Sequence, residues 1–263
     1  MKNGLMVIAA FAALVAPPAL AADMALKASP LPPPAPIWTG WYVGANGGGG
    51  WAHTDWNFPT AQFFDTAAGQ GFGTTPSGGL AGGQFGYNYQ IGPWVVGGEF
   101  TGDWSGLSET LVGPVTPVFP FDSYTTKLYD LETFTFRGGY APGNWFWYGK
   151  AGVATGTINL SGVSGAPVPG VAFSNTQRQW GPTVGAGVEF MWMRHIVVGV
   201  EYDFTALSRE SINTTATCSV LATCSVVPST PVSVNGGTFT LSSVVGRLSY
   251  KFDWLPAPIA PRY

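Results

Sequence analysis

The feature that most constrains this chain is a recurring run, roughly ten residues long, in which apolar residues alternate with small or polar ones between aromatic ends. In 41–51 the odd positions include Trp41, Val43, Ala45 and Trp51, while Tyr42, Gly44, Asn46 and Gly48 take even ones. Strict alternation is the period of a strand with two unlike faces. Trp41 and Trp51 share a face, and at about 3.3 Å per residue and about 40° of tilt they stand roughly 25 Å apart along a barrel axis. That is the height of a lipid-facing band between two aromatic girdles. The pattern returns in 79–90, 94–104, 131–140, 146–157, 180–190, 196–204 and 240–252, and Trp94 and Trp104 repeat the tryptophan interval. These alternations predict eight strands.

Composition closes off the competing folds. Only 10% of the residues are charged, against about 25% in an ordinary soluble domain, so a water-exposed surface would carry large apolar patches. A soluble sandwich would keep its outer strand faces polar. Beyond the first residues no apolar run reaches the length of about 18 that a membrane helix needs. A closed sheet is the remaining way to satisfy every backbone group in lipid. The expected fold is therefore all-β, an eight-stranded antiparallel transmembrane β-barrel of up-and-down topology.

The N-terminus places it. Lys2, the apolar run from Leu5 to Val15 and the small residues Ala19-Leu20-Ala21-Ala22 read as a cleaved secretory signal peptide over 1–21. A Pro-rich segment follows over 22–38, with residues 28–37 reading as a polyproline II spacer, then the barrel over 39–252 and a tail over 253–263. In an exported chain, Cys218 and Cys224 read as a disulfide. The formal charge of −3 and the lack of a basic stripe argue against nucleic acid as a partner. Links between strands are short at 90–93, 141–144 and 191–195 and long at 52–78, 105–129, 158–178 and 206–238. Short turns lie on the periplasmic side of such barrels and long loops outside.

Parity assigns the side chains. Trp41, Trp51, Tyr89, Trp94, Trp104, Tyr140, Trp180, Tyr250 and Phe252 face outward as an aromatic girdle, whereas Glu99, Asp103, Arg137, Lys150, Glu189, Glu201, Asp203, Arg247 and Lys251 face inward. Buried charges persist when paired, and Arg137 can reach Glu99 on the neighbouring strand. A salt-bridged core is one reading of this set and a lining for polar solutes the other. Eight strands enclose a space about wide enough for side chains to fill, although the inward glycines are expected to leave room. No catalytic, metal or cofactor site is expected. His53 and His195 fall at opposite ends of the barrel, and Gly44-Ala45-Asn46-Gly47-Gly48 and Gly185-Ala186-Gly187 lie inside strands rather than opening helices, so they are not phosphate loops.

The segments WTGWYVGANGGGGW at 38–51, GPTVGAGVEF at 181–190, VVGVEYDF at 197–204 and VVGRLSYKF at 244–252, with the Pro-rich lead after ADMALKA, resemble the small porin-like outer-membrane proteins and surface antigens of alphaproteobacteria. The resemblance spans about 23–252. It implies a barrel with surface-exposed loops and an envelope-stabilising or antigenic role; some members are called porins and some are linked to haem. It also implies that Tyr250-Lys251-Phe252 resembles the ending read by the barrel-assembly machinery, although this chain continues with 253–263. No haem-ligand position carries over, and His53 is notable only for lying on the outer side. The expectation is a non-enzymatic outer-membrane envelope protein whose partners are outer-membrane lipid, the assembly machinery and extracellular ligands at its loops. A diffusion porin and a surface receptor for haem or a host molecule are the alternatives.

Overall fold

The computed structural model describes residues 38–59, 68–112, 122–165, 171–208, 212–218 and 230–252. The signal peptide, the tail over 253–263 and Cys224 lie outside them, as does the Pro-rich lead as far as residue 37. The described strands are β1 (Gly40–Asn57), β2 (Gly71–Thr74), β3 (Ser77–Ile91), β4 (Trp94–Ser105), β5 (Ser108–Val112), β6 (Ser123–Tyr140), β7 (Trp145–Val163), β8 (Val171–Met193), β9 (Ile196–Leu207), β10 (Ile212–Cys218), β11 (Thr230–Gly236) and β12 (Phe239–Lys251).

Eight of them, β1, β3, β4, β6, β7, β8, β9 and β12, form an antiparallel ring. Each wall strand pairs with its successor, and the ring closes where Tyr42 to His53 of β1 run against Lys251 to Thr240 of β12. The other four strands attach at the loop end, where β2 and β11 pair with β1, β5 with β6, and β10 with β11 and β8. At the opposite end the wall strands turn tightly. Gly92 and Gly143 adopt positive φ there, a conformation glycine reaches without steric cost.

The outer face of the band follows the predicted parity. Trp41, Tyr89, Trp94, Tyr140, Tyr250 and Phe252 form its turn-end rim and Trp51, Trp104 and Trp180 its loop-end rim, all exposed. Between the rims lie Val43, Phe85, Val96, Phe134, Phe136, Val153, Val184, Val200 and Leu248, an apolar surface suited to lipid.

The interior is stacked in three tiers, legible along β7 alone. From the turn end its inward residues are Phe146 and Tyr148, then Lys150, then Ala154, Ile158 and Leu160. The lowest tier gathers Trp38, Val95, Ala141, Phe146, Tyr148, Met191 and Val197 into an apolar cluster. Trp38, read from sequence as the end of the spacer, tucks beneath the barrel. Its backbone N donates to Gln90 Oε1 at 2.8 Å and its indole to the Gly143 carbonyl at 3.3 Å, and its ring lies 5.3 Å from Phe146. The middle tier is charged. The highest is a second apolar core that includes Leu80, Leu107, Leu128, Ile158, Phe173, Leu207, Phe239 and Leu241 around Trp56.

This upper core corrects the expected loops. Much of 52–78, 105–129, 158–178 and 206–238 is strand, because the wall continues past Trp51, Trp104 and Trp180 with its polarity reversed. Water bathes the outside there, so outward residues turn polar and inward ones apolar, and the lipid-facing signature stops while the strand goes on. β6 adds a bulge between Leu128 and Asp130 that changes which positions face in. From Trp180 to the start of β8 at Val171 the wall rises roughly 20 Å beyond the girdle. Trp56 holds this extension together, with ring centroids 5.6 Å from Phe72 and Tyr124 and 6.3 Å from Phe173, and with its indole donating to Thr126 Oγ1 at 3.2 Å. Trp56→Ala should cost about 3–5 kcal/mol in urea unfolding from lipid vesicles. A loop residue at this position would move stability by no more than about 0.5 kcal/mol.

Candidate functional site

The charged middle tier holds the densest arrangement of chemically active groups. Inward parity places Glu99 on β4, Arg137 on β6, Lys150 on β7, Glu189 on β8, Glu201 and Asp203 on β9 and Arg247 on β12, and the curvature of the closed sheet aims them at one another. Glu99 is the hub. Its Oε2 accepts from Arg137 Nη1 at 2.8 Å, from the Tyr42 hydroxyl at 2.7 Å and from Arg247 Nη2, while Oε1 accepts from Arg247 Nη1 at 2.9 Å. Arg137 Nη2 reaches across to Glu189 Oε2 at 2.7 Å. Glu201 accepts from Arg247 Nη1 at 2.5 Å, from the Tyr148 hydroxyl at 2.6 Å and from Lys150 Nζ at 2.7 Å. Lys150 also stands 3.0 Å from Asp203 Oδ1.

Arg137 joins this tier to the apolar one beneath, since its guanidinium lies 4.0 Å from the Tyr148 ring centroid and 5.0 Å from that of Phe146. Cation–π attraction of this kind strengthens when water is excluded. Arg137 and Glu99 are both fully buried, so each charge relies on its partners in place of solvent.

Seven of the nine inward charges thus meet. Asp103 and Lys251 lie on the same face but at other heights. Asp103 makes no ion pair among the described residues and rests over Gly82. Lys251 sits near the turn end, its Nζ donating to the Thr39 carbonyl at 3.5 Å. Tyr42 and Tyr148 are network members that charge counting missed; their inward parity was the available signal.

Space beside several inward glycines is filled by neighbouring side chains. A methyl on Gly86 would overlap the Tyr42 hydroxyl, one on Gly187 the Tyr148 hydroxyl, one on Gly185 the Asp203 carboxylate and one on Gly44 the Gln84 amide. Each is the bed on which a long neighbour lies, so the expected free volume is already taken by network side chains.

Outside this tier the candidate groups are sparse. His53 is exposed on β1 with Nε2 3.4 Å from Asp55 Oδ1. His195 lies in a turn, its Nδ1 3.0 Å from the Lys251 carbonyl and its ring stacked on Tyr250. The two histidines therefore stand at opposite ends of β12. Among the described residues no group of three or more His, Cys, Asp or Glu side chains is placed to hold a metal ion. Cys218 ends β10, but its pairing with Cys224 lies outside the described residues. The glycine runs at 44–48 and 185–187 lie within β1 and β8.

A closed antiparallel ring with an apolar waist between aromatic rims defines a transmembrane β-barrel. Residues 7–252 match the family model of the outer membrane protein beta-barrel domain, and the chain belongs to that family. It is similar to the 31 kDa outer-membrane immunogenic protein of Brucella melitensis biotype 1, 29% identical over 214 residues that cover 78% of this chain and 88% of that protein. Among solved structures it is similar in fold to the outer membrane protease OmpT from Escherichia coli, with a TM-score of 0.50 and 11% identity over 81% of this chain and 97% of that one. OprG from Pseudomonas aeruginosa gives a TM-score of 0.48 and 14% identity over 82% and 97%. The protein is a β-barrel of the bacterial outer membrane with an envelope and surface role.

Removing one partner from the middle tier strands a buried charge. Arg137→Ala should cost about 3–5 kcal/mol, whereas Arg178→Ala, whose ion pair is half-exposed, should cost under about 1 kcal/mol. Urea titration of both variants in vesicles measures the contrast.

Proposed function

We propose that the protein is a non-conducting, non-enzymatic wall element of the outer membrane that carries a rigid extension to the cell surface. The observation that carries this reading is the three-tier interior. A solute would have to displace the cluster around Trp38, break the Glu99–Arg247–Glu201 bridges and pass the core around Trp56. The middle tier supports a structural role because its cations and carboxylates satisfy each other rather than face a lumen. Eight strands leave an interior about the size of the side chains inside it.

The non-enzymatic reading is supported by the placement of the candidate groups. His53 and Asp55 face outward on the loop half, and no nucleophile is paired with them among the described residues. The carboxylates of the middle tier are buried among arginines, away from either rim. A receptor role would rest on residues 60–67, 113–121, 166–170, 209–211 and 219–229, which lie outside the described residues. The similarity to an immunogenic outer-membrane protein supports surface exposure of this end.

Planar-bilayer recording of the refolded protein tests the proposal. No unitary steps are expected from the wild type under applied voltage. Stable, reproducible conductance steps would instead establish a diffusion porin and overturn the closed reading.

A further inference from the structure

The outer face of the loop half has an uneven distribution of charge. Among the described residues its lysine and arginine side chains are Lys127 on β6 and Arg178 on β8, two strands apart on one side of the barrel. Arg137, Lys150, Arg247 and Lys251 point inward, and Arg194 lies in a turn at the other end.

The β6 bulge creates this patch. Below it the odd positions Leu131, Thr133, Thr135 and Arg137 face inward; above it the even positions Tyr124, Thr126 and Leu128 do. Without the register shift Lys127 would point into the apolar upper core. With it, Lys127 and Tyr129 turn outward, and the Asp130 side chain accepts from the backbone N of Thr157 at 3.0 Å. Bulges commonly re-aim side chains in this way.

Cross-strand register relates the patch to the loop-end girdle. Trp104, Asp130, Thr157 and Arg178 form one continuous row over β4, β6, β7 and β8. Glu132, Thr155 and Trp180 form the row beneath it, nearer the waist. Arg178 is the next outward residue beyond Trp180 on β8, and Lys127 lies one row further from the waist, in line with Asn159 and Thr176; the exposed Trp104 and Trp180 border the patch on its waist side. Arg178 is held for presentation, since Nε donates to Thr155 Oγ1 at 3.2 Å and Nη2 pairs with the Glu132 carboxylate, with Asp130 Oδ1 at 3.9 Å. Its Nη1 makes no hydrogen bond among the described residues. Lys127 makes no hydrogen bond or ion pair among them either, and it is exposed.

We propose that Lys127 and Arg178, with Trp104 and Trp180 as aromatic flanks, form a docking site for the phosphorylated headgroup of an outer-leaflet glycolipid. The surface continues the lipid-facing band past Trp180, so a lipid packed beside that ring directs its headgroup toward the two cations. Phosphate oxygens complement the unbonded Nη1 group of a guanidinium and an ammonium group. Indole rings favour the headgroup boundary, where one edge is apolar and the other wet. Asp130 and Glu132 orient Arg178 through its Nη2 and leave Nη1 unbonded. The site depends on outer-membrane placement and not on whether the barrel conducts.

Refolded protein in zwitterionic detergent micelles is titrated with purified lipopolysaccharide, intact or enzymatically dephosphorylated. Lys127→Gln should weaken binding of the intact glycolipid several-fold and Lys127→Gln/Arg178→Gln roughly tenfold, the loss expected of about one charge-assisted contact. Dephosphorylated glycolipid should bind the wild type no better than intact glycolipid binds the double variant. Equal affinity of wild type and double variant, equal affinity for both glycolipids, or full displacement by free inorganic phosphate at matched concentration would each overturn the assignment. Lys127 packs in no core, so its single variant keeps the test valid, with heat-modifiable gel migration reporting a folded barrel.

Discussion

Ring closure between β1 and β12 is the constraint from which the other features follow. Lipid offers no hydrogen-bond partner to an open strand edge, so both edges of β1 must be paired, one by β3 and one by β12. Once the sheet is closed, every wall strand has one face in lipid and one in the lumen. The polar residues needed to keep the chain from being uniformly apolar then have a single destination. A ring of eight strands makes that destination narrow, and charges placed there must neutralise each other at short range.

Narrowness also explains why charge and glycine occur together inside. The Tyr42 and Tyr148 hydroxyls and the Asp203 carboxylate lie over Gly86, Gly187 and Gly185, where any side chain would collide with them. The glycines are thus part of the charged tier, giving clearance to long residues that project across the lumen. Buried ion pairs contribute less net stability than their distances suggest, because desolvation offsets much of the attraction. Their larger effect here is on register. Slipping one strand by one residue would send its lumenal charge into lipid, which places a steep penalty on every wrong pairing.

The lipid-facing half of this design was readable in sequence, because each wall strand carries aromatic ends and aliphatic centres on one parity. Parity gives the face of a residue but not its height. Asp103 and Lys251 share faces with Glu99 and Arg247 yet stand apart from the bridged group, since each is displaced along its own strand. Tyr42 and Tyr148 escaped notice as network members because tyrosine in such a strand also suits a girdle. Trp38 followed a proline-dense stretch, and only its contacts with Gln90, Gly143 and Phe146 attach it to the barrel. The upper extension was hidden for a different reason. Its strands obey the rules of a water-soluble barrel, apolar within and polar without, so a search for the membrane rule ends at Trp51, Trp104 and Trp180.

That reversal of polarity locates the outer boundary of the membrane on the protein itself. Below the three tryptophans, outward residues such as Phe134 and Val184 match hydrocarbon; above them Lys127, Asp130 and Arg178 match water and headgroups. A wall that satisfies both solvents without a break needs two interiors, one polar and one apolar, joined end to end. The charged tier can occupy the membrane half because the band around it is apolar, and the aromatic core can occupy the extension because polar groups surround it. The β6 bulge lies where the two regimes meet and resets which residues of that strand face in. A straight β6 would have buried Lys127 in the core around Trp56, so on this strand the change of solvent is met by a change of phase, whereas on β1, β7 and β8 it is met by a change of residue type alone.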